Sequence, residues 1–206
     1  MDNTGGMSFA EMLAQPGVVE EVSIRGTFGF LAYHGGPVER VTSLIAREAA
    51  RRSDSSFYSI DQPAERPLHI PSTRVDPAES PQLAAVLEHV DVVCTLHGYG
   101  RDMNKVLLGG QNRELAQVVH DELTKRLEAP FEVVVDLDEI PVELRGVHPK
   151  NPVNLPRNQG VQIELPPALR WNADAHKWGD APGLEMTAGI SAVVNALVAA
   201  VKRWPY

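Results

Sequence analysis

The chain has 206 residues, 43% hydrophobic and 22% charged, a formal net charge of −8 and one cysteine. That length can bury a sizeable core and suits one α/β domain, while the acidic balance argues against a nucleic-acid partner, which selects for a basic face. The lone Cys94 excludes an intramolecular disulfide, and its place in the apolar run 90–96 reads as a buried, inert thiol.

No stretch reaches the roughly 20 apolar residues of a membrane helix, the longest, 190–201, being interrupted by Ser191 and Asn195. Residues 1–6 lack the charged and apolar regions of a secretory signal. The expectation is a protein that is cytoplasmic as made, with no membrane partner, and released if at all by a route such as lysis. Composition sets no oligomeric state.

In chain order, residues 1–18 read as a loosely ordered leader with a short amphipathic turn, ahead of a single domain over 19–206. Residues 18–24 and 27–33 read as two strands of a hairpin around Arg25 and Gly26. Val38, Val41, Leu44, Ile45 and Ala49 have the spacing of an amphipathic helix over 38–51, with Pro37 suited to its first position. Short strands are expected at 56–60 and 67–70, then a helix over 81–89 with Ser80 as N-cap and Pro81 in its first turn. Residues 91–96 form a continuous β-branched and apolar run, the pattern of a central strand buried on both faces. Further strands are expected at 105–108, 131–136 and 161–165, and helices at 112–127 and 184–204. This alternation predicts an α/β fold layered around a mixed, twisted sheet flanked by helices. Two connections, 71–80 and 137–159, are long for a compact domain, and such loops are usually functional.

The run Tyr33, His34, Gly35, Gly36, Pro37, Val38 and Glu39 carries the most chemistry. A histidine ends a strand, two glycines turn the chain without a Cβ penalty, and a carboxylate follows near a helix start, where the dipole favours its ionised form. That is half of a zinc site. It is equally what any strand–turn–helix unit needs, with His34 as a core histidine. Ligands of open α/β sheets bind beyond the carboxyl ends of the strands, and two more strands deliver side chains there. His97 ends the run 91–96, and Glu164 lies near the end of 161–165, on the face opposite Val161 and Ile163. A catalytic zinc takes three protein ligands, and two histidines with one glutamate are an established set. His34, Glu39 and His97 make that count, leaving Glu164 as a general base for metal-assisted hydrolysis of an acyl bond. The plain alternative is that His97 and Glu164 pair with buried neighbours.

Six blocks in order over residues 28–170 resemble the poly-γ-glutamate hydrolase family of bacteria and their phages. They are His34-Gly-Gly-Pro-Val-Glu39 with Thr42, Leu68-His-Ile-Pro-Ser-Thr73, Thr95-Leu-His-Gly98, Leu108-Gly-Gly110, the pair Asn151 and Asn154, and Gly160-Val-Gln-Ile-Glu-Leu165 with Arg170. The resemblance implies a zinc-carboxypeptidase-like three-layer architecture and a Zn2+ cofactor held by His34, Glu39 and His97. It also implies Glu164 as general acid/base and, as substrate, an anionic γ-glutamyl polymer. Asn151, Asn154 and Arg157 are the first candidates to bind a substrate carboxylate, followed by Arg170 and Arg74, since arginine offers a bidentate fork. Arg157 stands three residues beyond Asn154, whereas the carboxypeptidase pattern places asparagine and arginine side by side. His69 is a substrate contact, a group behind the ligands or a core residue. Two other functions compete: a carboxypeptidase or amidase on another γ-glutamyl or cell-wall peptide, and a non-catalytic module that binds an anionic ligand.

Overall fold

In the computed structural model, which describes residues 6–65 and 67–205, the chain runs α1 (Phe9–Leu13), β1 (Val19–Ser23), β2 (Gly26–Gly35), α2 (Thr42–Ser53) and β3 (Ser55–Asp61). It continues α3 (Pro81–His89), β4 (Val92–Gly98), β5 (Lys105–Leu108), α4 (Arg113–Thr124), β6 (Glu132–Val134) and β7 (Gly160–Leu165). A four-residue α5 (Pro167–Arg170), a small hairpin of β8 (Trp171–Asn172) with β9 (Lys177–Trp178), and α6 (Ala188–Arg203) complete it.

Seven strands form one sheet in the order β1-β3-β2-β4-β7-β5-β6. β3, β2, β4 and β7 are mutually parallel, while β1 and β5 enter antiparallel to their neighbours β3 and β7. The mixed sheet expected from the alternation of elements is present. Phe28, Phe30, Cys94, Leu96, Val161 and Ile163 point to one face and pack against α2, α4 and α6. Leu31, Tyr33, Tyr58 and Val93 point to the other and pack with α1 and α3. A three-layer α/β arrangement results. Of the leader expected over 1–18, residues 1–5 lie outside the described residues, whereas Phe9 and Met12 of α1 are buried in the second core. Among the described residues, no helix is long and apolar enough to cross a membrane.

Three local expectations are corrected. β1 and β2 do not form a hairpin: β3 inserts between them and pairs with both. Residues 67–70 form no strand. The helix expected from 38 begins at Thr42, because Gly36 (φ 68°) and Val41 (φ 79°) take left-handed backbone that no α-helix admits. Glu39 thus sits in a turn between β2 and α2 rather than in a helix. The connection 137–159 carries three short 3-10 turns in place of longer elements.

The turn needs its glycines for different reasons. A Cβ on Gly35 would lie 1.9 Å from Ser43 Oγ and 2.6 Å from the Ile60 carbonyl oxygen, whereas one on Gly100 would meet nothing within 4 Å. Gly35→Ala is therefore expected to lower unfolding free energy by about 1–3 kcal/mol, the usual cost of overpacking. Gly100→Ala should stay within about 0.5 kcal/mol of the parent. Urea denaturation of both variants checks the pair, and equal stabilities would contradict the close packing at Gly35.

Candidate metal centre and its cleft

β2, β4 and β7 run parallel side by side, so their carboxyl ends share one edge of the sheet. β4 alternates Cys94 and Leu96 toward the helical face and His97 toward the other. In β7, Val161 and Ile163 face the helices, which leaves Gln162 and Glu164 beside His97; His97 and Glu164 are direct cross-strand partners. Strict alternation would send His34 to the helical face with Phe30 and Ala32. The pairing of β2 with β3 slips between Ala32 and Gly35, and His34 lies instead against His97, with ring centroids 5.1 Å apart.

Glu39 closes the group. Its Oε1 lies 3.0 Å from His34 Nδ1 and its Oε2 3.2 Å from His97 Nδ1. The backbone N–H of Gly98 donates to Oε2 at 3.1 Å, and that of Glu39 donates to the His34 carbonyl at 2.8 Å. One donor atom from each of His34, Glu39 and His97 lies within 4.8 Å of the others, and all three residues are buried. Burial alone would raise the Glu39 pKa, but the two imidazoles outweigh it and hold the carboxyl well below the usual range. Burial likewise opposes a charge on His34; the Glu39 carboxylate outweighs it and raises that pKa.

The tautomer shows what the cluster fits. His34 Nε2 lies 2.8 Å from the Ile70 carbonyl, which can only accept, so Nε2 carries a hydrogen. A neutral His34 then points its Nδ1 lone pair at an anionic carboxylate oxygen. Positive charge is required between them, from a second proton or from a metal ion. Two imidazole nitrogens and a carboxylate, with the far nitrogen of one ring fixed by a carbonyl, are a donor set and outer support suited to zinc. His97 Nε2 is buried with no hydrogen-bond partner among the described residues.

Glu164 stands beside the cluster with a different environment. Burial is the main cause that pushes its pKa up to about 7; Glu39 adds to it, while His97, Gln162 and Arg170 oppose. Gln162 Nε2 donates to Glu164 Oε1 at 2.8 Å, and Asn151 Nδ2 donates to Gln162 Oε1 at 2.8 Å. Tyr33 Oη donates to Asn151 Oδ1 at 3.4 Å. Each amide in this relay has one possible orientation, and it ends by presenting a donor to one oxygen of Glu164.

These groups open into a cleft of about 730 Å³. Asn151, His69 and the four central residues line it. His69 packs against the His34 ring at 4.7 Å, and burial lowers its pKa, so it presents a neutral imidazole. The other expected substrate contacts lie elsewhere. Asn154 is occupied with the loop, accepting from Gln111 N–H at 3.0 Å and donating to the Gly146 and His148 carbonyls at 2.8 and 3.0 Å. Arg157 is exposed outside the cleft. Arg74 bonds the Met7 carbonyl beside a separate depression. Arg170 is buried behind the cleft, donating to the Arg40 and Tyr99 carbonyls. Among the described residues, the arginine that does line the cleft is Arg101, paired across the rim with Glu143. Nothing in the sequence singled it out, whereas Gln162 was within reach, two positions from Glu164 on the same strand face.

Fold and donor set together define an α/β protein with a buried centre ready for a divalent metal at the strand ends. The family model for poly-gamma-glutamate hydrolase matches residues 7–179, and the chain belongs to that family. Two relatives from Bacillus subtilis (strain 168) are similar in sequence. The SPbeta prophage-derived protein YoqZ is 33% identical over 136 residues, 66% of this chain and 46% of the relative. YndL is 31% identical over 143 residues, 68% of this chain and 53% of the relative. The chain thus spans about half the length of these curated relatives. In fold it is similar to a bacteriophage poly-gamma-glutamate hydrolase, with a TM-score of 0.78 and 22% identity over 91% of this chain and 89% of that one. Zinc-free YndL gives a TM-score of 0.75 and 22% identity over 90% of each chain.

The amide relay makes its own prediction. Gln162→Leu removes the donor that favours the ionised carboxyl, so Glu164 in the metal-free protein should titrate at higher pH than in the parent. Carboxyl 13C NMR reads this directly; an unchanged titration would show that the relay does not reach Glu164.

Proposed function

We propose that the protein is a zinc-dependent hydrolase of γ-glutamyl amide bonds and that its substrate is poly-γ-glutamate. The observation that carries this reading is the cross-strand pairing of Glu164 with His97, which sets a base beside the donor set in a chain of this family. His34 and His97 through Nδ1, and Glu39 through its carboxylate, would hold the zinc. When bound, zinc supplies Lewis-acid polarisation of the amide carbonyl and of water. Glu164 takes the proton that water loses as its oxygen bonds to the carbonyl carbon. It then returns that proton to the departing amine as the C–N bond breaks. A carboxyl with a pKa near 7 serves both steps, and a nearby cation lowers it from there. A module that only bound an anion would have no use for a buried, elevated carboxyl facing that anion.

For the substrate, each γ-glutamyl unit carries a carboxylate, and Arg101 at the rim can receive one in exchange for Glu143. Both side chains are more than half exposed, so the exchange needs little desolvation. Val142, Leu144 and Val147 on the same rim offer apolar contact to the methylenes between the carboxylates.

Glu164→Gln should keep one zinc per chain and lose about 100-fold or more in kcat, whereas His97→Ala should lose the metal. Chain-length analysis of poly-γ-glutamate after incubation reads the activity; a fully active Glu164→Gln would refute the mechanism. A zinc-loaded protein that leaves the polymer intact but cleaves a γ-glutamyl or cell-wall peptide would move the substrate assignment to that class. The rim pair predicts opposite signs: Arg101→Gln raises KM for the polymer, roughly three- to tenfold, and Glu143→Gln lowers it. Changes of the same sign in both variants would remove Arg101 from substrate binding.

A further inference from the structure

The backbone that presents Glu39 is held in a conformation its own residues disfavour. Val41, two residues on, has φ 79° and ψ −18° and is fully buried. A β-branched side chain with positive φ is a true outlier, one that persists only where surrounding contacts over-determine it. The contact in question comes from far along the chain. Asp180, just beyond the β8–β9 hairpin, accepts from the Val41 N–H through Oδ2 at 3.0 Å and from Arg40 Nε through Oδ1 at 3.0 Å.

The same C-terminal segment grips the second ligand turn. Arg170 Nη1 donates to the Arg40 carbonyl at 3.1 Å and Nη2 to the Tyr99 carbonyl at 2.8 Å. Its guanidinium lies so close over Gly98 that a Cβ there would come within 2.5 Å of Cζ, and it stacks on Trp178, with Cζ 5.2 Å from the ring centroid. Gly179 N–H bonds back to the Arg170 carbonyl at 2.9 Å. Residues 170–180 therefore fasten the turn after β2, which carries Glu39, and the end of β4, whose Gly98 N–H holds Glu39 Oε2.

We infer that Asp180 is a positioning residue for the metal centre: it holds Val41 in the left-handed conformation and thereby aims the Glu39 carboxylate between the two imidazoles. Without it, Val41 relaxes toward ordinary backbone and Glu39 turns away, although no atom of Asp180 touches the donor set. The inference rests on the reading of His34, Glu39 and His97 as the zinc site.

The test is zinc affinity of the metal-stripped 206-residue chain, measured by competition with a chelating dye, beside its thermal unfolding. Asp180→Ala should bind zinc about 10–100-fold more weakly, the usual loss when outer support of a ligand is removed. Asp180→Asn, which keeps an acceptor for the Val41 N–H, should lose less, and it carries the test if the alanine variant does not fold. Adding Val41→Gly to Asp180→Ala should restore affinity, because glycine adopts positive φ without a Cβ penalty, while lowering the unfolding temperature further through the lost buried side chain. Affinity and stability moving in opposite directions separates positioning from a general structural role. Asp180→Ala binding zinc within about twofold of the parent would overturn the inference, as would a double variant that regains nothing. A parent chain that binds no zinc would instead overturn the metal-site reading beneath it.

Discussion

A carboxylate buried between two imidazoles, one of them with its Nε2 hydrogen already committed to a carbonyl on the far side, sets the requirements for everything around it. Such a group needs a cation, and until one is present the lone pairs of His34 and Glu39 oppose each other. The sheet meets this by geometry rather than by compensating with a fixed positive side chain. Arg170 senses both Glu39 and Glu164, yet it is turned to backbone carbonyls and keeps its charge behind the site. The centre is thereby left open to an exchangeable ion.

The neighbouring carboxyl is treated in the opposite way. Burial opposes charge on both carboxyls, but at Glu39 the two imidazoles outweigh it, whereas at Glu164, on β7, burial prevails. Two carboxyls at one sheet edge are thus driven apart in pKa, as the proposed division between an anionic ligand and a proton-transferring base requires. The relay from Tyr33 through Asn151 and Gln162 fixes which oxygen of Glu164 remains available. Asn151, expected from the sequence to contact substrate, lines the cleft and also supports Gln162.

What the sequence made legible follows from its periodicities. The ends of β2, β4 and β7 could be located because apolar runs stop at His34, His97 and Leu165, and alternation put Glu164 on the face opposite Val161. What it concealed depends on long-range geometry. The pairing of β1 with β3 rather than β2 is decided by the insertion of a third strand, which no local pattern encodes. The late start of α2 was hidden because Val38 and Val41 fit helical spacing, while the left-handed turn at Val41 is maintained by Asp180, 139 residues further on. The arginines could not be sorted by position alone: Arg157 reaches solvent, Arg170 reaches backbone, and Arg101, in a loop without a motif, faces the cleft.

The central claim is that the charge between these imidazoles and Glu39 is supplied by a metal ion. Imidazole 15N NMR of the stripped protein during titration with zinc tests it most directly, because the chemical shift tells a protonated nitrogen from a lone pair and from a metal-bound nitrogen. The account predicts that one equivalent of zinc shifts Nδ1 of both His34 and His97 into the metal-bound range while His34 Nε2 keeps its hydrogen. Nδ1 atoms that remain protonated with zinc in excess would contradict it, and would make the cluster an ion pair closed by a proton.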